Sequence, residues 1–88
     1  MTKSLRSAQM KAVLVMLRER REAAGVTQAQ LAEKLRKPQS YVAKVEGSER
    51  RLDVIEFCNW ATALGSSPSR LIADMEAEHA FEPDGRPN

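Results

Sequence analysis

Two short helical patterns meet at LRKPQS, residues 35–40, with almost no chain between them. Leu31, Ala32 and Leu35 form one apolar stripe at helical spacing, and Val42 and Val45 begin the next. Pro38 lies between them. Its missing N–H costs nothing in the first turn of a helix, and its ring pushes Lys37 toward extended backbone. One helix must therefore stop near Leu35 and another begin near Pro38. So short a connection forbids long antiparallel contact, and the two helices must cross steeply.

The surrounding chain gives three more helices and no alternating pattern of a strand. A first helix covers roughly Ser7 to Ala24, with Met10, Val13, Leu14, Leu17 and Ala24 on one face and Gly25 ending it. The second starts at a capping box, Thr27 with Gln30, flanked by Val26 and Leu31 as a staple. The third runs from Pro38 to about Glu46 and ends at Gly47. Asp53 with Glu56 caps the fourth, roughly Val54 to Leu64, and Leu52 with Phe57 staples it. Ile55, Phe57, Cys58, Ala61 and Leu64 are expected inside, and Trp60 on the less buried flank, where it covers the core edge or marks an interface. Ser67 and Pro68 open the fifth, whose apolar face is Leu71, Ile72 and Met75. The expected class is all-α: a compact five-helix domain with a steeply crossed pair at helices two and three.

A steeply crossed pair with a polar outer face on its second member suits the major groove of DNA, which admits one α-helix. Gln39, Ser40 and Lys44 supply donors and acceptors of modest length, and Ala43 leaves room for a thymine methyl. Lys44 fits a base or a phosphate. The start of the second helix, with its free N–H groups and positive dipole end, suits a phosphate, and Gln28 stands there with a side-chain donor. Arg50 and Arg51 follow the third helix as a backbone clamp, and Arg36 and Lys37 in the turn have a weaker claim of the same kind. For Tyr41 two roles stand level: reading a base, or packing its ring on the core edge with the hydroxyl offered to a phosphate.

The stretch TQAQLAEKLRKPQSYVAKVEGSERRLD resembles the helix-turn-helix of the Xre-type, phage-repressor-like regulators. The matching features are TQxxLA at residues 27–32, PQSYV at 38–42, the Glu46-Gly47 pair, Ala-Leu-Gly at 63–65, Pro68 and Leu71. The resemblance spans roughly residues 10 to 75. It implies a compact helical domain with its third helix in the major groove. By position, Gln28 would hold a phosphate, Gln39, Ser40 and Lys44 would face bases, and Arg21 would pair with Glu46 as a structural salt bridge. Arg36 departs from the pattern, since many members place glycine in this turn. A left-handed arginine costs on the order of 1 kcal/mol, which a type I-like turn before Pro38 would avoid.

Charge agrees with such a partner. Residues 1–51 carry twelve Lys/Arg against five Asp/Glu, and residues 52–88 two against seven, within an overall +2. With 88 residues there is one domain and no room for a deep catalytic cavity beside the core. The expected division is a flexible basic arm at 1–6, where Lys3 and Arg6 track the duplex or simply fray, the DNA-binding domain at 7–78, and a disordered tail at 79–88. Cys58 is the single cysteine and His79 the single histidine, so the sequence offers no metal set, no nucleophile–base pair and no cofactor motif. Without a leader-like or membrane-spanning run, the expected compartment is the cytoplasm. The expected function is a sequence-specific repressor of transcription, working as a homodimer on palindromic double-stranded DNA. Its rivals are an antitoxin or controller protein that also binds a protein partner, and an interaction module without DNA binding.

Overall fold

The computed structural model describes residues 8–78 and residue 81. The expected arm and tail, including Lys3, Arg6 and His79, lie outside the described residues. Within them the chain forms five α-helices and no strand: α1 Ala8–Ala23, α2 Gln28–Leu35, α3 Gln39–Glu46, α4 Val54–Ala63 and α5 Pro68–Glu78. No helix among them is long and apolar enough to cross a membrane.

Side chains set the starts of α2, α4 and α5, while α3 begins at Pro38 without a side-chain cap. The Thr27 hydroxyl accepts from the Gln30 N–H at 3.0 Å, and the Gln30 side chain accepts from the Thr27 N–H at 2.9 Å. Asp53 and Glu56 repeat the exchange at 2.7 and 2.9 Å. Ser67 caps α5 through the Arg70 N–H at 3.1 Å. Each reciprocal cap satisfies donors that a helix start otherwise leaves open.

The ends follow one pattern with different residues. At the ends of α1 through α4 the chain closes with paired 6→1 and 5→2 backbone bonds, such as Lys37 N–H to Ala32 C=O with Arg36 N–H to Glu33 C=O. The closing residue is left-handed in all four: Gly25 (φ 73), Arg36 (φ 59), Ser48 (φ 65) and Gly65 (φ 82). The turn after α2 is therefore not the strain-free type I-like one; Arg36 takes the costly conformation. After α3 the left-handed residue is Ser48, one beyond Gly47, which sits at φ −85 as the cap. Pro38 likewise stands one position earlier than expected. It is the extended N-cap of α3 (φ −68, ψ 154), not its first helical residue.

The core lies where α1, α2, α3, α4 and α5 meet. Leu17, Leu31, Val42, Val45, Trp60, Ala61 and Leu71 are almost wholly enclosed. Trp60 corrects the sequence expectation: it is at the centre, with no exposed surface. Phe57, Trp60, Ala61 and Leu64 share the 3–4 spacing of one helix face, and Ile55 lies off it. Val54 and Ile55 consequently face solvent, 75% and 67% exposed. Ile72 and Ala24 are also exposed, while Met16, absent from the expected face of α1, is buried. Burying an indole requires a partner for its N–H. Tyr41 provides it, accepting from Trp60 Nε1 at 3.1 Å.

Candidate nucleic-acid interface

Four side chains link the scaffold to the outer edge of α3. Arg21 reaches from α1 to Glu46 at the end of α3, with Nε donating to Oε2 at 2.6 Å and Nη2 to Oε1 at 3.0 Å. Its Nη1 donates to the Val26 carbonyl at 2.8 Å, and the hydrogen bond to Glu46 holds the guanidinium above its ordinary pKa. Both partners are nearly enclosed, at 9% and 6% side-chain exposure. Glu46 Oε1 also accepts from Gln28 Nε2 at 2.9 Å, and Gln28 Oε1 accepts a long bond from Gln39 Nε2 at 3.4 Å. A buried ion pair thus fixes the first residue of α2, which in turn touches the first residue of α3.

Gln28 is half-buried, and Glu46 orients its side chain at the start of α2. Because Thr27 takes the Gln30 N–H, the N–H groups of Gln28 and Ala29 remain without intrahelical partners at the positive end of α2. Gln39, Ser40, Ala43 and Lys44 form a continuous exposed edge along α3. Ser40, Lys44 and Arg51 make no side-chain hydrogen bond or ion pair with any described residue.

Tyr41 departs from this edge. It is 9% exposed, with its ring packed edge-on to Trp60 at 6.1 Å between centroids. Its hydroxyl accepts from Trp60 and donates to Glu56 Oε2 at 3.5 Å. Burial raises the phenol pKa. Of the two roles open to it, packing wins, and the hydroxyl is already committed inside the protein.

Two cations stand on that ring: Lys37 Nζ at 5.3 Å and the Arg50 guanidinium carbon at 4.7 Å from the centroid. Arg50, expected as part of a backbone clamp, is held by the protein itself. Its Nη1 donates to Glu56 Oε1 at 3.1 Å and to the Arg51 carbonyl at 2.6 Å, and its Nη2 lies 2.9 Å from Glu56 Oε2. The bond to Glu56 raises the Arg50 pKa. The same bond, with that from the Asp53 N–H, lowers the Glu56 pKa. Glu56 is the residue sequence reasoning placed only as a cap. Its second role has one sequence signal, an arginine six positions upstream on a loop that must turn back to the cap.

A helix-turn-helix family profile, HTH_3, matches residues 17–71. An XRE-family like protein from Pseudomonas syringae pv. tomato str. DC3000 has a solved structure that superposes with a TM-score of 0.79 at 47% identity, over 88% of this chain and 94% of that one. The clp gene regulator ClgR from C. glutamicum shares the fold, with a TM-score of 0.69 at 24% identity over 84% and 96% of the two chains. No match is found among curated protein sequences. The chain belongs to the Xre-type helix-turn-helix family of DNA-binding regulators.

Proposed function

We propose that the protein is a sequence-specific repressor, acting in the cytoplasm as a homodimer on a palindromic operator. The observation that carries this is the exposed edge of α3. Gln39, Ser40, Ala43 and Lys44 are free of the core, on a helix whose inner face and far end are fixed by Val42, Val45 and the Arg21–Glu46 pair. A rod held from behind, with short polar groups in front, fits a groove that distinguishes base pairs by donor and acceptor patterns.

Roles divide by position. Gln39 and Ser40 read base edges, and Lys44 reaches a base or a phosphate. Gln28, the α2 N-terminus, Lys37, Arg50 and Arg51 hold the sugar–phosphate walls on either side and set the register. One helix covers only a few base pairs, so specificity calls for two copies on half-sites about 34–36 Å apart. Val54, Ile55 and Ile72 are exposed apolar groups on α4 and α5, which supports contact between copies through those helices.

Titration of labelled duplex at several salt concentrations tests the function. Affinity should fall linearly in log–log form, by about 0.9 per phosphate neutralised. Absence of binding at low salt would leave the protein-interaction rival in its place.

A further inference from the structure

Arg50 is gripped on three sides, and what remains free has the shape of a ligand. Glu56 occupies the end of the guanidinium, against Nη1 and Nη2. The Arg51 carbonyl takes a second bond from Nη1, and the Tyr41 ring lies 4.7 Å from the central carbon. These contacts leave Nε–H and the second Nη2 N–H, which share one long edge of the guanidinium plane, without a partner among the described residues. The side chain is 41% exposed. Two parallel N–H groups on a fixed plane are the donor set that a phosphate takes bidentately.

The geometry points to Arg50 as a preformed two-toothed phosphate fork, with Glu56 and Tyr41 as its positioning residues. Glu56 fixes the direction of the plane from behind, and Tyr41, itself anchored to buried Trp60, fixes its tilt. A free arginine would lose rotamer freedom on meeting DNA; this one has already lost it on folding. The inference rests on the DNA-binding function proposed above and adds which edge of Arg50 is used and what aims it. It also gives Tyr41 a part in binding without contact to DNA.

The test is a set of variants titrated on one duplex across salt: the parent, Arg50→Lys, Arg50→Ala, Glu56→Gln and the Arg50→Ala/Glu56→Gln pair. Arg50→Lys keeps the charge and loses the fork. Its affinity should drop ~3–10-fold at an unchanged salt slope. Glu56→Gln keeps an acceptor for the α4 cap. In the Arg50→Ala background it removes only a carboxylate's repulsion of DNA, and binding should tighten. With Arg50 present that gain should vanish or reverse, a difference of ~3-fold or more between backgrounds. Tyr41→Leu should shrink the Arg50→Lys penalty, because the plane is then no longer held.

A lysine that binds as well as Arg50 overturns the fork. An equal Glu56→Gln gain in both backgrounds overturns the positioning role. A larger gain with Arg50 present makes Glu56 a competitor for the phosphate, and overturns it too. An undiminished Arg50→Lys penalty in Tyr41→Leu removes the ring's part. Failure of the parent to bind any duplex is a separate result, refuting the DNA-binding function itself.

Discussion

Arg21 grips Glu46 through two hydrogen bonds, 2.6 and 3.0 Å long, and the same carboxylate aims Gln28 at 2.9 Å. One pair therefore joins α1 to α3 and sets the orientation of a side chain at the start of α2. Glu46→Ala leaves an arginine with 9% side-chain exposure only the Val26 carbonyl and, at 4.0 Å, Glu22, so unfolding free energy should fall by about 3 kcal/mol. Urea denaturation measures it. A loss below about 1 kcal/mol would mean the pair is relieved by water, and the scaffold account would fail.

Arg36 offers the opposite kind of change. At φ 59 its Cβ is crowded in a way glycine avoids, yet its N–H must close the end of α2. Arg36→Gly should raise stability by a few tenths to about 1 kcal/mol, the relief of strain being partly offset by unfolded-state entropy. A destabilised Arg36→Gly would show that the arginine side chain holds the turn through contacts of its own.

The Asp53–Glu56 cap with Arg50 makes part of the stability depend on pH. Glu56 has its pKa lowered by Arg50 first and the Asp53 N–H second. The folded state thus favours the carboxylate. The stabilisation is complete above the usual glutamate value, about 4.3, and drains away as pH falls through the lower folded value. Parent and Glu56→Gln should differ in thermal midpoint at neutral pH, and the difference should shrink as pH falls below the usual glutamate range. Parallel curves down to low pH would contradict this.

Arg51 is exposed and without a side-chain partner among the described residues, so its expected part is a phosphate contact alone. Arg51→Ala should weaken binding to every duplex alike and reduce the salt slope by about 0.9 per protomer. Discrimination between sequences should not change. An unchanged slope would place Arg51 away from the duplex.

Much of this architecture was legible because it is local. Capping boxes at Thr27–Gln30 and Asp53–Glu56, the serine–proline start of α5 and the glycines at 25 and 65 are short-range signals, and the helices begin and end within a residue or two of them. Gly47 caps α3 where the sequence puts the end of that helix, while the left-handed residue of the turn is Ser48, one position on, which no glycine marks. Trp60 and Ile55 were interchanged for a different reason. Both are apolar and on one helix, and which of them turns inward depends on what α3 presents. The Tyr41 hydroxyl, which lets the indole be buried, is 19 residues away. The Arg50–Glu56–Tyr41 cluster was invisible on the same grounds: each member has an adequate local explanation, and only the folded loop brings them together.

The most direct test of the central claim is selection of bound sequences from a random duplex pool by the parent and by the Gln39→Ala and Lys44→Ala variants. The account predicts an enriched motif of two inverted half-sites with centres about one helical turn, ~34–36 Å, apart. Each variant should lose about 1–3 kcal/mol on that motif and relax preference at one or two positions per half. A pool without enrichment, or variants that select the parent's motif with undiminished affinity, would contradict it.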